Sequence, residues 1–287
     1  ASMRGVTSGT WLYLSDIQMD EFHGLISNGN RIGTFSNGTI TISDGDISNK
    51  WSGCYSTIAT ANAIMDHAAS MTASDAFSAT DKVAFAHYAA EAHFVRAYLY
   101  FWLADHFCQS YTQCDPSKAA SGLPLSTKYN PTGNLADYPS RSTLDETFAL
   151  IEEDMQKAYE GLAAYEKSGV TVEKEESQPL AYIHSLTVRA LQARVALVKG
   201  DWENAAKYAE ATAHLNEMLP QPIKCMHIIG GGSQNKLLNR LTSEALGVPV
   251  IAGPIEATGM GNILTQALAK GEIKDIDELR AVVRQSI

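Results

Sequence analysis

Between Asp81 and Cys108 the chain runs for 28 residues without a glycine or a proline, and apolar residues fall on every side of the run. Phe94, Tyr98, Phe101 and Trp102 recur at spacings of three and four, with Val95, Leu99 and Leu103 beside them. That period is helical, and a helix apolar all round has to be buried between other helices. The flanking sequence supplies such partners. Trp51, Tyr55, Ile58, Asn62 and Met65 mark one face of a helix that begins near Lys50. Ser142-Thr143-Leu144-Asp145-Glu146 reads as a capped helix start, followed by Leu144, Phe148, Ile151, Met155 and Tyr159 on one side. A further helix is expected near Ala181–Lys199, stopped by Gly200, and Asp201 caps the next, Trp202–Met218. Small residues at contact positions (Ala190, Ala193, Ala205, Ala206, Ala209) suit stacked antiparallel pairs, a tetratricopeptide-like array.

Two regions depart from this texture. The first, to about Asn49, is rich in Gly, Ser, Thr, Asn and Asp; it reads as a helix near Asp16–Ser27 followed by irregular surface loop. The second begins near Leu219. There Met226-His227-Ile228-Ile229 runs into Gly230-Gly231-Gly232-Ser233, a helix is expected over about Gln234–Leu246, and Pro249–Ala252 is a second apolar strand. Two more helical patterns follow, Glu256–Ala269 and Asp277–Arg284. Strand, glycine turn, helix and strand make a βαβ unit, an architecture foreign to a helical array. The expected fold class is therefore mainly α with a small C-terminal α/β segment. The expected division is residues 1–220 and 221–287, with the junction at 217–224.

The formal charge is −10, from 22 Lys and Arg against 32 Asp and Glu, with no basic block. A nucleic-acid groove needs a positive stripe, so nucleic acid is excluded as a partner, and anionic membrane surfaces are disfavoured likewise. Cys54, Cys108, Cys114 and Cys225 form no CxxC pair. Four free thiols are the reading adopted, a Cys108–Cys114 bridge being the alternative in an oxidising compartment. The eight histidines show no metal-ligand grouping, and neither a metal nor another cofactor is expected. No Ser-His-Asp set or P-loop assembles locally, and Glu152-Glu153-Asp154 is read as lying on solvated helix faces. No catalytic residue is assigned, and no enzyme activity is expected. Either the chain is cytosolic or its targeting segment lies upstream of this numbering.

Several segments, in order, resemble the SusD/RagB family. They are Trp51-Ser-Gly-Cys-Tyr55 with Ala61-Asn62-Ala63-Ile64, then Ala90-Glu91-Ala92-His93-Phe94-Val95-Arg96-Ala97-Tyr98-Leu99-Tyr100-Phe101. Gly122-x-Pro124-Leu125, Arg141-Ser-Thr-Leu and Gly200-Asp201-Trp202 follow. The resemblance spans most of residues 10–217. It implies a non-catalytic glycan-binding protein of the bacterial outer membrane, with a TonB-dependent transporter as partner. The tail resembles a second family. His227-Ile-Ile-Gly-Gly-Gly-Ser-Gln-Asn235 and Pro249-Val-Ile-Ala-Gly-Pro-Ile-Glu256 are similar to the C-terminal half of FGGY carbohydrate kinases, closest to rhamnulokinases. That resemblance implies nucleotide contact at Gly230, Gly231, Gly232, Ser233 and Asn235. Phosphoryl transfer is not expected, because the N-terminal phosphate loop and catalytic carboxylate of such kinases have no counterpart here.

Aromatic faces suit the apolar faces of pyranose rings, and amides and carboxylates suit sugar hydroxyls. The stripe on the 81–108 helix is assigned to the core. The glycan-binding candidates are instead the loop residues Trp11, Tyr13, Phe35 and Tyr129, with Tyr111 and Tyr138 as further loop aromatics. The polar Asn28, Asn30, Arg31, Asn37 and Asp44 join them.

Overall fold

The computed structural model describes residues 33–41, 43–172, 182–213 and 224–228, then 236, 239–240, 243–244, 247–252, 264–265, 267–268 and 270–285. The expected helix at Asp16–Ser27 lies outside the described residues. Two compact units divide at Ala205 and Ala206.

In the first unit, helix α1 spans Gly45–Ala73, α2 Ala79–Phe107, α3 Leu144–Ser168 and α4 Ser185–Lys199. α1 starts five residues ahead of Lys50 because Asp44 is its N-cap, taking the backbone N–H groups of Asp46 and Ile47 on its carboxylate. α2 and α3 each open on a capping box, Ser78 with Asp81 and Thr143 with Glu146. α4 starts at Ser185 rather than Ala181, where Glu166 accepts from both the Ser185 amide and hydroxyl. Gly169 and Gly200, with φ of 70° and 75°, terminate α3 and α4 in the left-handed conformation.

α2 packs on α1 at one side and on α3 at the other, and α3 packs on α4. Phe94 and Phe101 are buried with Leu99, Tyr100 and Leu103, while Tyr98 and Trp102 are half-buried at the edge of the same core. The core reading of the aromatic stripe holds. α2 and α3 approach closely at Gly161, where a Cβ would stand 2.6 Å from the Ala90 Cβ. Gly161→Ala is therefore expected to destabilise by about 1–3 kcal/mol despite alanine's better helix propensity. Ala90→Gly in the same chain should recover part of that loss in urea unfolding.

A buried charge cluster ties α1, α2 and α3 together. Arg96 clamps Asp154 with two parallel bonds, Nε to Oδ2 at 2.7 Å and Nη2 to Oδ1 at 2.8 Å. His93 Nδ1 lies 2.7 Å from Asp154 Oδ1, and Arg96 Nη1 donates to Asn62 Oδ1 at 2.6 Å. This corrects the expectation that Asp154 faces solvent with Glu152 and Glu153: Asp154 is 0% exposed. The physical reason is that α3 turns this position onto α2, where the carboxylate meets a cation with matching geometry. Glu91 stands 3.9 Å from His87, so Arg96 and Glu91 do have separate partners.

Burial pushes the Asp154 carboxyl up, but hydrogen bonds from His93 and Arg96 and their charges outweigh it and hold the group below its ordinary value. A depressed native pKa contributes stability that is full above the unfolded value, about 3.9, and is lost as pH falls through the native one. Urea unfolding between pH 7 and pH 2 is expected to show a steeper acid loss in the native sequence than in Asp154→Asn.

The four cysteines are free thiols. Cys54 is buried, which pushes its thiol up to about 11, and Cys108 is raised by burial with Arg141 Nη2 donating toward its sulfur.

The second unit contains parallel strands β1, Met226–Ile228, and β2, Val250–Ala252, in register Met226 to Val250 and Ile228 to Ala252. Residues between them at 236, 239–240 and 243–244 are helical, the βαβ order expected. Helix α5, Trp202–Ala213, precedes the strands, and helix α6, Ile276–Gln285, follows them.

Candidate functional site

The connection between α2 and α3 forms one wall of a cleft in the first unit, about 520 Å³ in volume. Its geometry begins at Gly122, where a Cβ would collide with the Thr143 carbonyl and Thr147 hydroxyl. Only glycine lets the backbone lie this close to the start of α3. An antiparallel bridge, Pro124 to Arg141, then closes the base of the connection, with Gly122 and Leu123 exchanging backbone bonds with Ser142. Arg141 reinforces it by donating to the carbonyls of Gly122 and Phe107.

The floor is the Trp51–Tyr55–Ala59 face of α1. The Trp51 and Tyr55 rings lie 4.9 Å apart, and Trp51 meets Phe107 edge-on at the same distance. Tyr55 Oη donates to the Pro124 carbonyl at 2.8 Å, and burial holds that hydroxyl protonated, far above the usual tyrosine range. The outer wall is the turn 129–139, locked by its own hydrogen bonds. Thr132 Oγ1 donates to Asp137 at 2.9 Å, Asn134 caps the Ala136 amide, and Tyr138 Oη donates to the Thr132 carbonyl at 2.9 Å. Three prolines in the lining, Pro124, Pro131 and Pro139, stiffen the walls further. The Tyr129 and Tyr138 side chains stand at the mouth, 49% and 54% exposed. Lys128 and Asn130 are exposed beside them.

Large aromatic surfaces held in a concave, pre-formed site with a few polar groups fit a small or extended ligand with apolar faces and many hydroxyls. Among the described lining residues Asp137 is the one carboxylate, whereas glycoside hydrolysis uses a pair. No group of three metal-ligating side chains occurs among the described residues.

Of the residues expected to bind glycan, Tyr129 is in this cleft. Phe35 is buried, at 4% exposure, in a single helical turn Gly33–Ser36. Asn37 is exposed after that turn, and its amide donates to the Gly33 carbonyl. Asp44 caps α1 and also accepts from Thr34 Oγ1 at 3.4 Å. None of these three lines the cleft. Trp11, Tyr13, Asn28, Asn30 and Arg31 lie outside the described residues, as do Gly230, Gly231, Gly232, Ser233 and Asn235. Of the other loop aromatics, Tyr138 joins Tyr129, whereas Tyr111 turns inward, donating to Asp145 and packing on Phe148. Trp51 and Tyr55 were not among the candidates. Their spacing of four marks a helix face, and only the fold shows that Trp51 and Tyr55 also line a cleft.

Comparison with known proteins gives two results along the chain. Residues 12–184 match a SusD-like family model described as starch-binding associating with outer membrane. Residues 202–270 match the C-terminal domain of the FGGY family of carbohydrate kinases. Over its tail the chain is 45% identical across 83 residues to a rhamnulokinase of Bacteroides thetaiotaomicron, covering 29% of this chain and 17% of that protein. It is 52% identical across 79 residues to a rhamnulokinase of Bacillus subtilis, covering 28% and 16%. The chain thus spans about a sixth of the length of these curated relatives. Among solved structures, a SusD superfamily protein from Bacteroides thetaiotaomicron superposes with TM-score 0.53 at 20% identity, covering 74% of this chain and 44% of that one. A laminarin-binding SusD-like protein gives TM-score 0.52 at 20% identity, covering 74% and 40%. At such identity the likeness shows the fold, and the chain spans under half of either structure.

Proposed function

We propose, because this chain belongs to the SusD-like family of starch-binding proteins associated with the outer membrane, that its helical unit captures oligosaccharide or polysaccharide chains in the Trp51–Tyr55–Tyr129–Tyr138 cleft. The observation that carries this reading is the pair of tyrosines held half-exposed at the mouth of a stiff, concave, aromatic-floored site. Pyranose rings would stack their C–H faces on the tyrosines, and Lys128, Asn130 and the cleft carbonyls would take hydroxyl groups. The role is binding without catalysis at the cell surface, with delivery to a TonB-dependent transporter. The laminarin-binding neighbour and the starch-binding description both favour glucans as first ligands to try. Among the described residues no helix is long and apolar enough to cross a membrane.

The test is electrophoresis of the folded chain through native gels cast with soluble starch or laminarin. Retardation in at least one polysaccharide gel is expected. Unretarded migration across a broad glycan panel would count against the reading.

A second reading attaches to the tail, favoured by its identity to rhamnulokinases and by the parallel β1–β2 pair. In it, residues 221–287 form a kinase-like domain whose Gly230–Asn235 segment contacts ATP without transferring phosphate. Calorimetry with ATP, and a coupled assay with ATP and L-rhamnulose, separate binding from turnover.

A further inference from the structure

We infer that Asn62, Arg96 and Tyr100, three buried residues outside the cleft, are positioning residues that hold its 126–129 wall in the binding conformation. The inference rests on the cleft being the glycan site, as proposed above.

Segment 126–129 has no regular partner strand, yet each of its residues is tied down through its backbone. Ser126 is held twice by one phenol: its amide donates to Tyr100 Oη at 2.7 Å, and Tyr100 Oη donates to its carbonyl at 3.2 Å. Asn62 Nδ2 donates to the carbonyls of Ser126 at 3.0 Å and Lys128 at 3.3 Å. Arg96 Nη1 donates to the Thr127 carbonyl at 3.2 Å. The Tyr129 amide reaches Asp66, one turn of α1 beyond Asn62, at 3.4 Å.

These anchors are themselves fixed. Asn62 is 0% exposed, and its Oδ1 accepts a hydrogen bond from Arg96 Nη1, which orients its amide so that Nδ2 faces the wall. Arg96 is in turn set by its two bonds to Asp154. Burial pushes the Tyr100 hydroxyl up to about 12, so it stays protonated and keeps both roles at ordinary pH. The chain Asp154–Arg96–Asn62 thus runs from the centre of the helix stack to the cleft wall. A wall ordered before ligand arrives loses less conformational freedom on binding, which raises affinity without a new contact.

Tyr100→Phe removes one hydroxyl from a ring whose packing is otherwise kept. Asn62→Asp, the second variant, keeps an oxygen for Arg96 but turns an oxygen toward the Ser126 and Lys128 carbonyls. With laminarin and soluble starch as probes, each full-length variant is expected to bind about tenfold more weakly. Amide exchange at residues 126–129 should quicken in the free variants and return toward the native rate when glycan saturates the cleft. Affinity within twofold of the native chain, or unchanged exchange at 126–129, would overturn the inference and leave the network a fold element only. Tyr138→Ala, which touches none of these anchors, separates the two layers. If it weakens binding while Tyr100→Phe and Asn62→Asp do not, the positioning role fails alone. If it leaves binding intact, the cleft reading fails and takes the inference with it.

Discussion

Asp154→Ala is expected to destabilise the helical unit by about 3–5 kcal/mol, a fifth or more of the roughly 5–15 kcal/mol that holds an ordinary domain together. The expectation follows from which charge is left behind. Arg96 is buried, and its guanidinium would lose both bonds to a carboxylate that is out of contact with water. His93, 19% exposed at its side chain, has a route to solvent that Arg96 lacks. Removing both charges is a different experiment. Arg96→Met with Asp154→Leu should recover much of the loss, because an apolar pair of similar volume escapes the desolvation penalty. Recovery should be incomplete, since Asn62 Oδ1 and the Thr127 carbonyl would then lack the donor they share. Urea unfolding of Arg96→Met, Asp154→Leu and the double variant checks this, with a coupling energy of about 2–3 kcal/mol expected between positions 96 and 154.

Replacing both Tyr129 and Tyr138 with alanine is expected to reduce glycan affinity by roughly 1,000-fold, since aromatic anchors at binding hot spots cost about 2 kcal/mol or more each on truncation. Thermal stability should barely change. Both rings are half-exposed, and neither belongs to the buried core. Tyr138→Phe is the informative control. It keeps the ring but removes the hydroxyl that holds the Thr132 carbonyl, so any loss it causes reports the lock on the 129–139 turn rather than stacking. Calorimetric titration of laminarin into each variant measures both effects.

The helices were legible because their signals are local. The apolar run on α2, the Thr143–Glu146 box and Gly200 each act within a few residues of themselves. The change from helical array to parallel β1 and β2 was equally plain, since strand and helix periods differ. Asp154 was misplaced for the opposite reason: it sits in a run of three acids, and only packing against α2 decides which of the three turns inward. The cleft was half legible. Tyr129 and Tyr138 stand out as aromatics in a Pro- and Asn-rich turn, but Trp51 and Tyr55 carry the same periodicity as core residues. Nor does composition alone reveal that Asp44 is occupied as a helix cap, because capping and sugar binding draw on the same side chains.

A crystal structure of the chain grown with a laminarin oligosaccharide or a malto-oligosaccharide would test the central claim most directly. Sugar rings stacked on Tyr129 and Tyr138, above the Trp51–Tyr55 floor, are the predicted result. A glycan well ordered elsewhere on the helical unit, with the cleft holding only water, would contradict it.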